Sequence, residues 1–324
     1  MKMWIPIIGN NKADNSYETP IDVAKRSVAV IGYRGAGKTT FMGLLALHID
    51  YLASIDNRIK YRFEPGVYDF PLPEWDEILE KMRNGEPLPP TDVTKKPYVG
   101  KLVVRYPKLL GSGKVNIPIV DLAGELYQPI MDFIFNSKSK DFDYKKWNED
   151  LIRRLESLGI TKDDLRNIFG FIFNVKAYLI IINLEHALSA ISTISKNKAS
   201  NDNADTKSLL GRYFTVVTNL VNHRIEQNDL PHAGIVLTHY DIVREYIEGT
   251  LGFNVWGNYN DRIRLMRYMR PEILNQLRNL REDVPIFITY YEKPIGPGPT
   301  GIRLPDYPQK EYDEIFNWIK EVLK

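Results

Sequence analysis

Residues 32–39 read Gly32-Tyr33-Arg34-Gly35-Ala36-Gly37-Lys38-Thr39 and satisfy GxxxxGK[ST] at every fixed position. Each of those residue types has a chemical reason to be there. Glycines let successive backbone N–H groups curl around phosphate oxygens, a lysine ammonium bridges terminal phosphates, and a threonine hydroxyl ligates Mg²⁺. A helix that starts at Lys38 also turns its positive end toward the same anion. A glycine-rich turn that only joins strand to helix is the bland alternative, and the flanking sequence speaks against it. Val28-Ala29-Val30-Ile31 is an apolar run of buried-strand type, and Lys38–Ser54 carries Phe41, Leu44, Leu45 and Leu52 at helical spacing. The expected nucleotide-binding set is Gly32, Tyr33, Arg34, Gly35, Ala36, Gly37 and Lys38, with Thr39 and Thr40 opening the helix.

Three further places carry residue types that suit a nucleoside triphosphate. Val115–Glu125, VNIPIVDLAGE, is an apolar run that ends in Asp121-x-x-Gly124. Gly234–Asp241, GIVLTHYD, is another apolar run that ends in Thr238-His239-Tyr240-Asp241. Asp92–Pro97 supplies Thr94, with Thr91 in reserve, just ahead of a strand-like run at Tyr98. Each also has an ordinary reading: an acidic residue starting a turn, a helix N-cap with an aspartate near the helix dipole, and threonines in a proline-rich loop.

Taken with the glycine loop, these places make the chain resemble the Ras-like, translation-factor-related class of P-loop GTPases. The resemblance implies that Asp121 holds Mg²⁺ through water and that the Gly124 amide senses the terminal phosphate. It implies that Thr94 is the switch threonine on Mg²⁺, alongside Thr39. Thr238-His239-Tyr240-Asp241 then stands for the [NT]KxD base motif, with His239 where lysine is usual. The residue after Gly124 is Glu125, where small GTPases usually carry a water-orienting Gln. A carboxylate there is repelled by the γ-phosphate unless a cation compensates, and Arg34 inside the loop would supply one as an internal counterpart of an arginine finger. The alternative for both is a side chain that simply points to solvent. The pentapeptide DLAGE also resembles the double-GTPase group. The gaps from Lys38 to Asp121 and from Asp121 to Asp241 are each roughly double those of a compact small GTPase, so insertions are expected at about 55–97 and 126–175.

A P-loop ATPase is the nearest rival. Many such enzymes place Asp-Glu after a hydrophobic run, but Leu122 follows Asp121, and Asn183-Leu184-Glu185 matches no better. A nucleotide-stabilised interaction scaffold is the third reading, with the insertions as partner surfaces. Arg262, Arg264, Arg267 and Arg270, interleaved with Ile263, Leu265, Met266 and Met269, would dock an acidic partner or lipid surface, or form an ordinary solvated helix face.

The elements needed to position these residues are legible as apolar runs alternating with helical stretches. Strand-like runs occur at Val28–Gly32, Tyr98–Tyr106, Lys114–Val120, Tyr178–Ile182, 233–238 and 284–290, with Gly111-Ser112-Gly113 as a turn. Helices are expected at Lys38–Ser54, Glu74–Arg83, about 126–168 with a capping start at Thr161, 208–228, onward to about 280, and 310–323. Lys196–Ser208 has no aromatic or branched aliphatic residue and reads as a loop. Residues 65–97 hold seven of the twenty prolines and read as an irregular insertion. This alternation predicts an α/β fold: a mostly parallel P-loop NTPase sheet with one antiparallel edge strand, helices on both faces and helical insertions. One domain is expected over 1–324, with a core at 28–290 and a C-terminal extension at 292–324.

Composition removes whole classes of function. The 324 residues carry 43 Lys+Arg and 41 Asp+Glu, and a net charge of +2 gives no case for a nucleic-acid coat. There is no cysteine, hence no disulfide, thiolate metal site or cysteine nucleophile, and the five histidines lack metal-ligand spacing. Ile168–Leu184 is the most hydrophobic stretch, but Lys176 at its middle would cost about 2.5–3.5 kcal/mol in a bilayer, so it reads as buried structure. No transmembrane segment is expected, and a cytoplasmic setting is the default. The expected ligands are guanine nucleotide and Mg²⁺, with a protein partner at the switch loops and insertions.

Overall fold

The computed structural model describes residues 24–33, 35–65, 75–86, 88, 98–107, 111–121, 153, 156–157, 161, 172–191, 202–226, 230–280, 283–292 and 305–323. Four strands form a wholly parallel sheet: β1 (Val28–Ile31), β5 (Ala177–Asn183), β6 (His232–Thr238) and β7 (Ile286–Ile288), hydrogen-bonded in the order β1-β5-β6-β7. Val28 stands beside Ala177, Ala177 beside His232, and Ile235 beside Ile286. All of β1 and β5 is buried, which is why these strands read as continuous apolar runs instead of alternating ones.

A second sheet is antiparallel, in the order β2 (Lys60–Pro65), β3 (Tyr98–Pro107) and β4 (Ser112–Asp121). β3 and β4 form the expected hairpin, with Leu102 facing Ile117 and Val104 facing Val115, and all four of these residues are buried. The strand β2 is not anticipated from the sequence. KYRFEP has one strongly apolar residue, and it is held by pairing with β3, by Phe63 stacking on Trp75 and by the Tyr61 hydroxyl donating to Asp50 at 2.9 Å. β4 lies alongside β1 without a ladder between them, so the antiparallel sheet continues the parallel one at its β1 edge.

Helices cover the sheets in two packing groups. α1 (Lys38–Ile55) touches α2 (Trp75–Asn84) and the C-terminal α8 (Gln309–Val322). α4 (Asp202–Glu226) touches α3 (Leu184–Ser189) and α7 (Pro271–Leu280). Phe41 through Ile49 of α1 are all buried, so this helix is enclosed around its whole circumference. Gly43 allows that: a Cβ there would meet Met82 Sδ of α2 at 2.3 Å.

α4 begins at Asp202, which corrects the loop expected over Lys196–Ser208: residues 202–208 are its first turns. Composition alone misreads such a segment, because an N-terminal turn rich in Asp, Asn and Thr draws its stability from the buried turns that follow it, here Leu210, Tyr213, Phe214 and Val217. Of the helical region expected at 126–168, only residues 153, 156–157 and 161 are described. α6 (Tyr259–Met269) corrects the arginine-face reading. Arg262 is 7% exposed and forms a bidentate pair with Glu311 of α8, so it does not share the surface of Arg264 and Arg267. Among the described residues no helix is long and apolar enough to cross a membrane.

Candidate functional site

β1 ends at Ile31, and the glycine loop carries the chain to α1 at the carboxyl edge of the parallel sheet. Crevices at that edge, beyond the strand ends, are where open α/β sheets bind ligands. Gly35 has φ +74° and Gly37 has φ +85°, a region that L side chains rarely adopt. Gly37 is also the N-cap of α1. No side chain caps the helix, and its first turn carries no acidic residue. The leading amides of α1 are therefore not blocked by a side-chain cap at Gly37, and the helix dipole is unopposed there.

Two buried polar side chains hold the loop from behind. Asn183, at the end of β5, donates from Nδ2 to the Gly35 carbonyl at 3.0 Å, while its Oδ1 accepts from the His186 backbone and caps α3. Thr238, at the end of β6, donates from Oγ1 to the Ala36 carbonyl at 2.8 Å. A trans peptide sets each N–H opposite the preceding carbonyl, so drawing the Ala36 carbonyl toward β6 turns the Gly37 amide the other way. Lys38 Nζ donates to the Tyr33 carbonyl at 3.2 Å, which keeps its ammonium over the loop. The Ala36 N–H bonds to that same carbonyl and closes the turn.

Two imidazoles complete the wall. A Cβ on Gly35 would lie 3.4 Å from His186 Cε1, and one on Gly37 would lie 3.1 Å from His239 Cε1. His239 has φ 58°, the sole positive φ among described non-glycine residues, at a cost of about 1–2 kcal/mol. Its Nδ1 is 3.0 Å from Thr238 Oγ1. Burial holds His239 below the ordinary imidazole range, although Asp241 and Glu185 pull it upward. Burial likewise lowers His186, with Glu185 opposing and His239 adding to the shift. Asp241, in the first turn of α5 (Tyr240–Glu245), is half-buried, and burial raises its carboxyl above the usual range against its own backbone, His239 and Arg244.

The structure thus brings Gly32, Tyr33, Gly35, Ala36, Gly37, Lys38, Thr39 and Thr40 together with Thr238, His239 and Asp241 at one sheet edge. Asp121 closes β4, opposite Tyr98 at the start of β3. Arg34, Thr94, its reserve Thr91, Gly124 and Glu125 lie outside the described residues. Sequence reasoning missed Asn183 and His186. The available signal was the position of Asn183: a lone polar residue ending an apolar parallel strand, which places it at the ligand-binding edge. Chemically, the arrangement offers a concave backbone with a lysine above it and a half-buried carboxylate to one side. Such a set of groups has the chemistry to bind a polyanion joined to a group with hydrogen-bond donors.

No protein-family model matches the chain, and no curated protein matches it. Among solved structures, the signal recognition particle receptor SRb-GTP/SRX complex from Chaetomium thermophilum is similar at 15% identity, covering 91% of this chain and 99% of that chain with a TM-score of 0.37.

Proposed function

We propose that this chain is a guanine-nucleotide-binding switch protein that hydrolyses GTP slowly with Mg²⁺, built as one P-loop domain on the core at 28–290. The observation that supports it most is the loop at 32–39, with two left-handed glycines, its carbonyls tied back to Asn183 and Thr238, and its lysine held above the backbone. Loop amides and the start of α1 receive the phosphates, and Lys38 leaves the Tyr33 carbonyl to bridge them. Asp241 accepts from the guanine N1–H and 2-amino groups, and His239 lies beside the base.

Mg²⁺ suits this donor set. It prefers one or two protein oxygens completed by phosphates and water, which fits Thr39 at the opening of α1 and Asp121 at the end of β4, with Thr94 as a third contributor. Bound there, the ion neutralises charge on the transferring phosphoryl group. Phosphoryl transfer asks mainly for positioning and charge stabilisation, and intrinsic rates of about 10⁻⁴–10⁻² s⁻¹ are ordinary for this chemistry. Glu125 and Arg34 are assigned to the attacking water and its compensating charge. The insertions and switch segments are the surfaces for a protein partner.

The experiment is a calorimetric panel of GTP, GDP, ATP and ADP with and without Mg²⁺, followed by single-turnover hydrolysis. Guanine nucleotides bind more tightly than adenine nucleotides, and Mg²⁺ strengthens the triphosphate. Equal affinity for ATP moves the chain to the ATPases, and binding without turnover moves it to the scaffolds.

A further inference from the structure

The guanine-nucleotide reading uses neither His186 nor His239 as a charge, yet both rings press on the two left-handed glycines of the phosphate loop. An added Cβ would lie 3.4 Å from His186 Cε1 at Gly35 and 3.1 Å from His239 Cε1 at Gly37, so each ring packs against the backbone of the loop. The rings arrive from different strands: His186 follows β5 in the first turn of α3, and His239 follows β6 as the N-cap of α5. His186 Nδ1 is sealed from solvent and has no hydrogen-bond partner among the described residues. His186 faces Glu185 on its own helix, the Tyr33 ring of the loop at 5.8 Å between centroids, and His239. His239 faces Asp241 on α5 and Glu185 on α3. The loop itself contributes the Lys38 ammonium, held on the Tyr33 carbonyl. Burial pushes both rings toward the neutral form in the empty loop, against the upward pull of these two carboxylates.

We propose that His186 and His239 form a proton-accepting clamp on the polyphosphate, so that nucleotide binding in the loop is coupled to proton uptake by this pair. The proposal rests on the guanine-nucleotide reading. A nucleoside polyphosphate brings several negative charges to the other side of Gly35 and Gly37. Negative charge near an imidazole favours its protonated form, and the proton comes from solvent onto a bare ring nitrogen while no bond of the nucleotide changes. The sign follows from linkage: the rings titrate higher with nucleotide bound than without it. Binding is strongest at pH values below the free-protein titration and weakens as pH rises through the bound-state one. Within that window affinity falls about three- to tenfold per pH unit.

The test is an NMR titration of the full chain with ¹³C-labelled histidine, followed at Cε1 with and without saturating Mg-GDP, with binding verified by calorimetry on the same sample. His186 and His239 are expected to titrate about one pH unit or more higher with nucleotide. His48, whose ring is engaged by Tyr307 and Asp313, stays unmoved and serves as the internal control. His186→Gln and His239→Gln each remove one titration and part of the proton uptake read by calorimetry in two buffers of different ionisation enthalpy. Should either variant fail to fold, the wild-type titration alone decides. Unmoved His186 and His239 with nucleotide bound overturn the clamp and leave the nucleotide reading intact. No binding of GDP or GTP at millimolar concentration overturns both.

Discussion

The Thr238 hydroxyl and the Ala36 carbonyl, 202 residues apart in sequence, meet at 2.8 Å in a buried hydrogen bond that fixes the phosphate loop to the end of β6. The residue that heads the proposed base-recognition segment is thus also a structural tie for the glycine loop. A threonine does this with one short hydroxyl, and the same oxygen lies 3.4 Å from the Ile182 carbonyl of β5.

Replacing Thr238 with Val keeps the shape and removes the donor. The Ala36 carbonyl is then left buried without its partner, at a cost of about 1–3 kcal/mol. Denaturant unfolding should show that loss. Calorimetry should show weaker triphosphate binding, because an untied loop must be ordered by the ligand. Thr238→Ser should recover most of both.

Gly37→Ala tests the loop from its other side. The new methyl would sit 3.1 Å from His239 Cε1 and 3.4 Å from Thr238 Oγ1 at a φ of +85°, so neither the backbone nor the neighbours accept it without moving. Strain of about 1–3 kcal/mol is expected, together with a loss of nucleotide affinity of at least tenfold. Unchanged thermal stability and affinity would show that the loop conformation does not matter to binding.

His48 makes stability depend on pH. Its ring is fully buried in α1, with Nδ1 3.1 Å from Tyr307 Oη and Nε2 3.0 Å from Asp313 Oδ1. Burial still lowers its pKa, although Asp313 opposes the shift. The unfolded chain therefore binds more protons than the folded one just below 6.5, the ordinary imidazole value. Stability is fully present above that value and falls as pH drops toward the folded-state titration, by up to about 1.4 kcal/mol per pH unit for a single group. His186 and His239 act in the same direction. Urea unfolding at a series of pH values should give this slope, and His48→Gln should make it shallower.

Arg262 and Glu311 join α6 and α8 to β7. The guanidinium also donates to the Val255 and Ile286 carbonyls, and the carboxylate accepts from the Ile288 backbone at 3.1 Å. Glu311→Ala strands a buried cation and should cost about 3–5 kcal/mol. The double replacement Arg262→Met, Glu311→Leu should recover much of that loss in thermal unfolding, because an apolar pair needs no desolvation.

Much of this architecture was legible because buried parallel strands and the glycine loop leave local signatures: Val28–Ile31 is apolar throughout, and Ala177–Asn183 and His232–Thr238 are apolar except at their ends. Lys60–Pro65 was not legible, since its pairing with β3 is set by partners some forty residues away and its own composition is polar. Arg262 read as surface because charge is exposed by default, and only the fold supplies Glu311. At the site, the loop residues were plain from spacing, whereas Asn183 and His186 act through position alone. An asparagine that caps one helix while holding the loop of another has no sequence motif.

In the proposed function, base choice turns on Asp241. An ionised carboxylate accepts two hydrogen bonds from guanine, at N1–H and the 2-amino group. Adenine has no 2-amino group and presents a lone pair at N1, so ATP leaves the carboxylate unpaired, at a cost of about 1–3 kcal/mol or more for a charged group. Burial raises the Asp241 carboxyl, which makes an unpaired charge there more costly still. Guanine supplies the missing donors and should draw the carboxyl back down, so GTP preference holds at neutral pH and weakens as acid protonates the free site. His239, packed on Gly37, has a compact ring where a lysine would lay its long stem along the base, so guanine affinity is expected to be lower than in a site that has one. Asp241→Asn should weaken GTP about tenfold or more and improve xanthosine triphosphate, whose C2 carbonyl accepts from the new amide. Competition calorimetry with the three triphosphates reads both changes. If wild type binds ATP as tightly as GTP and Asp241→Asn alters neither, Asp241 serves only the first turn of α5.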